Sequence, residues 1–125
     1  MENIGRKAMM KEDAGISIST RRNEIIGTIR DDAGNPVGEI GGIPDPDTPG
    51  QFLMVGLSVF PACRGMGIGS AAVGDFERVL RVLGFDKVVL EDASGGDFWE
   101  HLGYERTGGT IYGHPERVKH LGRSC

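Results

Sequence analysis

Val59-Phe60-Pro61-Ala62-Cys63-Arg64-Gly65-Met66-Gly67-Ile68-Gly69-Ser70 is the stretch that decides how this chain is read. An apolar strand ends, Pro61 removes a donor from its ladder, glycines follow at alternate positions, and a helical pattern begins at once. Glycines there let the backbone bend sharply, so several N–H groups can bear on one anion. The first helical turn adds unpaired donors and the positive end of the dipole, which makes phosphate or pyrophosphate the natural guest. Arg64 adds a fixed positive charge. A tight turn that binds nothing is the plainer alternative; Gly65, Gly67 and Gly69 beside an arginine favour the anion.

Outward from this turn the texture is orderly. Residues 52–60 are nearly continuous apolar, as a strand covered on both faces is. Downstream, Ile68, Ala72, Phe76, Val79, Leu80 and Leu83 fall three and four apart, with Asp75, Glu77, Arg78 and Arg81 opposite. That spacing predicts an amphipathic helix closed by Gly84. Residues 86–92 return to strand, and residues 97–102 suit a short helix ended by Gly103. Residues 104–107 and 110–112 read as a hairpin around Gly108-Gly109, and residues 113–125 as a polar, peripheral tail.

Before the turn, Ile16 and Ile18 alternate with serines, a short strand. Residues 24–30 are β-branched and end in the turn formers Asp31-Asp32-Ala33-Gly34-Asn35; residues 36–43 return. Three prolines make residues 44–50 a loop. Residues 1–15 show no clear period, a frayed end or short helix. The order is four strands, helix, strand, short helix, two strands. It predicts one α+β (mixed α/β) domain over residues 1–125, a mostly antiparallel twisted sheet with a single β-α-β crossover.

A chain of 125 residues suits one domain with an ordinary core. No apolar run approaches the ~18 residues of a membrane span. Met1-Glu2-Asn3-Ile4-Gly5-Arg6-Lys7 has no apolar stretch behind its charges, so no secretory signal is expected. Two cysteines, Cys63 and Cys125, make neither a disulfide framework nor a zinc quartet, and place the protein in a reducing cytoplasm. A net charge of −4 argues against nucleic acid as a partner. Residues 24–47 sum to −5, an acidic front that favours a cationic acceptor or is simply solvated surface. Glycine is 21 of 125 residues, in pairs and triplets beside apolar runs rather than in a linker, which signals tight backbone geometry.

Three phosphate binders compete for the turn. A P-loop fails, because no Gly-Lys-Ser/Thr follows. Gly67-Ile68-Gly69-Ser70-Ala71-Ala72 satisfies a loose dinucleotide pattern, but that pattern expects repeated βαβ units. The third reading is a resemblance. Arg64-x-x-Gly67-x-Gly69 resembles the Arg/Gln-x-x-Gly-x-Gly/Ala signature of the GCN5-related N-acetyltransferase (GNAT) superfamily. Leu57-Ser58-Val59-Phe60-Pro61 is similar to the strand end that precedes that signature. Phe98-Trp99-Glu100-His101-Leu102-Gly103-Tyr104 is similar to a second family segment, in the right order and at a suitable distance. The resemblance covers residues 24–112. It departs at the front, where too few residues precede Glu24 for the two helices that usually shape the acceptor site.

The resemblance implies acetyl-CoA as donor substrate and an amine, on a small molecule or a peptide, as acceptor. It implies that the amides of Gly65, Met66, Gly67, Ile68, Gly69 and Ser70 hold the pyrophosphate, with Arg64 beside them. The pantetheine arm pairs with the strand edge at Leu57 and Val59, where a backbone N–H meets the thioester oxygen. Direct transfer needs no enzyme nucleophile but does need a base. Glu39, Glu91 and Asp92 are candidates; alternation sends Glu91 and Asp92 to opposite faces, and spacing does not say which reaches the site. The tyrosine that often protonates the leaving thiolate is replaced by Trp99, whose indole cannot do so. Ser94, water, or departure as thiolate remain, and Trp99 packs against pantetheine or core. No metal site is expected: His101, His114 and His120 lack a ligand pattern. A CoA-binding module without turnover, acting as sensor or interaction protein, and a nucleotide-binding protein are the competing readings. A homodimer is compatible with the short front.

Overall fold

The computed structural model describes residues 16–65 and 67–122; the expectations for residues 1–15, Met66 and Cys125 lie outside the described residues. Seven strands form one sheet: β1 (Ile16–Arg21), β2 (Glu24–Arg30), β3 (Pro36–Pro44), β4 (Gln51–Val59), β5 (Lys87–Glu91), β6 (Glu105–Ile111) and β7 (His114–His120). Helix α1 (Ile68–Val82) joins β4 to β5, and the single turn α2 (Phe98–His101) precedes β6. The spatial order is β1-β2-β3-β4-β5-β7-β6, antiparallel throughout except for the parallel pair β4–β5. This is the expected α+β arrangement around one crossover.

The core lies on one face of the sheet. Ile25, Ile29, Ile40, Phe52, Met54, Val88 and Leu90 from the strands meet Ala72, Val73, Phe76 and Leu80 from α1, as the three-and-four spacing requires. Phe52 is fully buried, edge-on to both Phe76 and Phe85 at 5.7 and 5.3 Å between ring centres. Gly84, at φ 100°, ends the helix where the pattern placed its stop.

β4 differs from a strand covered on both faces. Gly42 faces Met54 and Gly41 faces Gly56, so Val55 is an extra, bulged residue, 75% exposed. The bulge switches the inward parity from Phe52 and Met54 to Leu57 and Val59, which pack at the core's margin. The pairing with β5 runs only from Gln51–Lys87 to Met54–Leu90. Beyond the bulge the two strands part.

The C-terminal expectation is corrected. The segment expected to be a peripheral tail supplies β7, which sits between β5 and β6 inside the sheet. The hairpin turn is Tyr112-Gly113, both at positive φ (52° and 83°), between the paired residues Ile111 and His114. Gly108 and Gly109 lie within β6, in an irregularity where residues 107–109 face Glu116 alone. β7 hides from a hydrophobicity reading because its inward side chains are charged and paired. Arg117, 2% exposed, donates to Asp92 Oδ2 at 2.6 Å and to the Tyr104 carbonyl at 2.8 Å. Lys119 Nζ reaches Glu77 Oε1 of α1 at 3.0 Å. Glu77 Oε2 accepts the hydroxyl of the fully buried Tyr104 at 2.7 Å.

Removing the Arg117 guanidinium strands the Asp92 charge inside the protein. Arg117→Met is expected to cost about 3 to 5 kcal/mol, a loss read as a fall in Tm of roughly 10 °C or more by differential scanning calorimetry. A peripheral β7 would leave Tm unchanged.

Candidate active site

The parting of β4 and β5 opens a cleft of about 1010 Å³. One wall is β4 from Met54 to Val59, the other Leu90, Glu91, Ala93 and Ser94; Cys63, Arg64, Gly65, Gly67, Gly69 and Ser70 close one end, and Phe98 and Trp99 line it from α2. The sequence-derived residues Leu57, Val59, Arg64, Gly65, Gly67, Gly69, Ser70, Trp99, Glu91 and Ser94 are thus brought to one cavity.

The closing turn is built as its residues demand. Pro61–Cys63 form a short 3-10 turn, after which Gly65 and Gly67 take φ 79° and 77°, a region that L side chains enter only with strain. Gly67 is the helix N-cap, and the first helical bond runs from the Ala71 N–H to the Gly67 carbonyl at 3.1 Å. The amides of Ile68, Gly69 and Ser70 therefore have no partner within the helix. The Ile68 side chain, partly buried, packs on the core and is not among the side chains that line the cleft. Arg64 donates through Nε to the Val59 carbonyl at 3.0 Å, which pins the guanidinium to the end of β4. Gly69 lies against Phe98, so α1 and α2 meet at the cleft floor.

Trp99 is 8% exposed and wedged between Phe98 and Tyr104, with ring centres at 5.0 and 5.1 Å. Its indole N–H has no hydrogen-bond partner among the described residues. A buried donor without a partner is costly, and this one belongs to a side chain that lines the cleft.

The acids divide. Asp92 does not line the cleft. Its Oδ1 accepts the Ser94 N–H (3.0 Å) and hydroxyl (2.5 Å), and its Oδ2 accepts Arg117. Burial raises the Asp92 pKa, but the Ser94 hydroxyl, then the Arg117 guanidinium and the Ser94 amide, outweigh it and the net shift is downward. Ser94 gives its proton to Asp92 and accepts the Gly96 N–H at 3.3 Å. Glu39 is exposed on β3, opposite Ser58, and does not line the cleft. Glu91 does line it, and its Oε2 lies 2.5 Å from the Nδ1 of His114 on β7. Sequence reasoning passed over His114 because nothing signalled that residue 114 lies beside residue 91; only the β5–β7 pairing does that. The Tyr104 phenol, behind Trp99, is held protonated by burial and then by the negative charge of Glu77, its pKa pushed far up.

The comparisons agree with this fold. Residues 5–104 match the family model described as Acetyltransferase (GNAT) family. The chain belongs to the GNAT acetyltransferase family. Among solved structures, GCN5 from Tetrahymena superposes with a TM-score of 0.70 at 12% identity, covering 84% of this chain and 72% of that one. Aminoglycoside 6′-acetyltransferase type Ii gives 0.69 at 22% identity, over 84% and 74%. The GNAT family N-acetyltransferase YhbS from Escherichia coli, solved in complex with CoA, gives 0.66 at 20% identity, over 93% and 65%. No curated protein matches. Within this GNAT domain, β1 and β2 are joined by Arg22-Asn23 alone, so no helix stands between them. Among the described residues no helix is long and apolar enough to cross a membrane, and no cluster of metal-ligating side chains is found.

The Asp92 carboxyl titrates below its ordinary value of 3.8 in the folded chain. Its pairing stabilises fully above that value, and the contribution is lost as the pH falls through the lowered folded pKa. Urea unfolding at a series of pH values from about 5 to about 2 is expected to show this acid loss, and Asp92→Asn to flatten that part of the curve.

Proposed function

We propose that this protein transfers an acetyl group from acetyl-CoA to a primary amine by direct attack. The observation that carries the reading is the cleft itself. A fan of unpaired amides at one end and a free strand edge along one wall suit a pyrophosphate followed by an extended, amide-rich arm. Gly65, Gly67, Ile68, Gly69 and Ser70 receive the pyrophosphate, with Met66 between them in sequence and Arg64 adding charge. Leu57 and Val59 present the β4 backbone to the pantetheine. The unpartnered Trp99 N–H donates to the same arm. The CoA in the YhbS complex supports this choice of donor class.

Glu91 is the proton acceptor. A primary alkylamine is mostly protonated at neutral pH, with a pKa of about 10.4, and attacks only once it has lost a proton. Glu91 takes that proton, and the neutral amine nitrogen then bonds to the thioester carbon. The C–S bond breaks, and the second proton released by the nitrogen passes through water to the departing CoA thiolate. Asp92, saturated by Ser94 and Arg117, holds the Ala93–Ser94 wall instead, and the Ser94 proton is already committed. Ser94 and Asp92 thus shape the cleft, and Glu91 does the proton chemistry. A soluble, cytoplasmic setting fits the free thiol of Cys63 in the cleft.

Trp99 is the single tryptophan, so its fluorescence reports directly on the cleft. Titration with CoA is expected to shift or quench its emission in the wild type. Gly67→Asp puts a side chain and a negative charge where the pyrophosphate approaches and is expected to abolish the response. Arg64→Ala is expected to raise the CoA Kd by roughly 5- to 10-fold, the loss of about one charge-assisted hydrogen bond. Acetyl-CoA turnover with a panel of primary amines separates an enzyme from a binding module. CoA binding without turnover of any amine would favour the sensor.

A further inference from the structure

Glu91 alone is an imperfect base. It stands directly across the β5–β7 ladder from Glu116, a second carboxyl on the same face, and like charges at paired positions repel. A glutamate also has freely rotating side-chain torsions, and an unanchored one spends little time aimed at a substrate. Both problems have a structural answer here. Glu116 is turned aside, its Oε1 accepting the Thr107 hydroxyl of β6 at 2.7 Å. The Oε2 of Glu91 is met at 2.5 Å by the Nδ1 of His114, which enters β7 directly after the Tyr112-Gly113 turn.

We propose that His114 is the positioning residue of the acetyl-transfer base. With the proton on Nδ1, it donates to Glu91 Oε2, fixes the carboxylate's orientation and leaves Oε1 to the acceptor amine. The inference rests on the reading of Glu91 as base, and goes beyond it by assigning a role to a residue on a strand that the turn and its signature do not include. Glu116 on β7 lies beside the pair, and Cys63 and Arg64 line the same cleft as Glu91. Asp92 and Arg117, on the opposite face of the same two strands, are occupied with each other. No proton has to pass through His114: the ammonium's first proton ends on Glu91, the second goes through water to the departing thiolate, and the imidazole N–H stays where it is throughout.

The test combines kinetics with a readout that needs no acceptor. With the fastest amine of the panel, His114→Ala is expected to lower kcat roughly 10- to 100-fold with the KM for acetyl-CoA and the CoA Kd unchanged. His114→Asn, whose side-chain amide nitrogen can take the place of Nδ1, is expected to recover most of the loss. In a Glu91→Gln background, His114→Ala should add nothing, since it acts through that carboxylate. Wild-type kcat in His114→Ala beside a crippled Glu91→Gln overturns the positioning role and leaves the base assignment standing. Unchanged kcat in Glu91→Gln overturns both. Independently, the ring 15N shifts of His114 are expected to show the Nδ1–H form in the wild type and to change in Glu91→Gln. An Nε2–H ring indifferent to that substitution overturns the pairing even where no amine is turned over.

Discussion

The separation of β4 from β5 after the Met54–Leu90 pair is the constraint on which everything functional in this protein depends. Two parallel strands that stayed hydrogen-bonded to their ends would leave no cleft, no free strand edge and no access to the amides of the α1 turn. The Val55 bulge makes the separation tolerable. It lets β4 keep its antiparallel partner β3 as far as Val59 while its other edge goes unpaired, and it resets which side chains point inward. Backbone groups left without a partner in this way are costly when dry, so a ligand rich in amides, or water, must satisfy them.

A cleft between diverging strands must be braced, or the strands would close on each other. The bracing is polar and lies behind the cleft, away from the ligand. Arg117 joins β7 to the segment after β5 through Asp92, and to the end of α2 through the Tyr104 carbonyl. Tyr104 and Lys119 both reach Glu77 on α1. Each buried charge has a specific partner, which is the condition for such a network to hold a structure rather than weaken it. These contacts fix the distance between α1, α2 and β7, and so fix the floor on which Trp99 lies.

Much of this was legible in residues 24–103. The α1 stripe, the glycine turn and the alternation of β2 and β3 rest on local signals, namely period, turn chemistry and β-branching, and they appear where those signals put them. β7 was not legible, because His114-Pro115-Glu116-Arg117-Val118-Lys119-His120 offers one apolar residue. Its inward positions are filled by Arg117 and Lys119, whose burial depends on Asp92 and Glu77 from distant elements. Periodicity in hydrophobicity cannot see a core position occupied by a compensated charge. The glycine pair at 108–109 misled for a related reason: on an open edge strand it makes an irregularity, whereas the same dipeptide between two shielded strands would make the turn. The choice between Glu91 and Asp92 also needed the structure, since alternation states only that they diverge.

That divergence has a deeper consequence in β7. Because side chains alternate across a strand, the residues that pair with β5 are sorted into two sets with opposite roles. Arg117 and Lys119 face α1 and α2 and neutralise Asp92 and Glu77, carboxylates with no route to a substrate. His114 and Glu116 face the other way, beside Glu91, where a carboxylate borders open space. A shift of one residue in the β5–β7 register would exchange the sets, placing Arg117 against the cleft carboxylate and leaving Asp92 buried without a counter-charge. That penalty adds to the backbone hydrogen bonds in holding the register. The buried ion pair therefore does more than stabilise the C-terminal strand: by excluding the slipped alignment, it selects which β7 side chains stand beside the acid that faces the cleft.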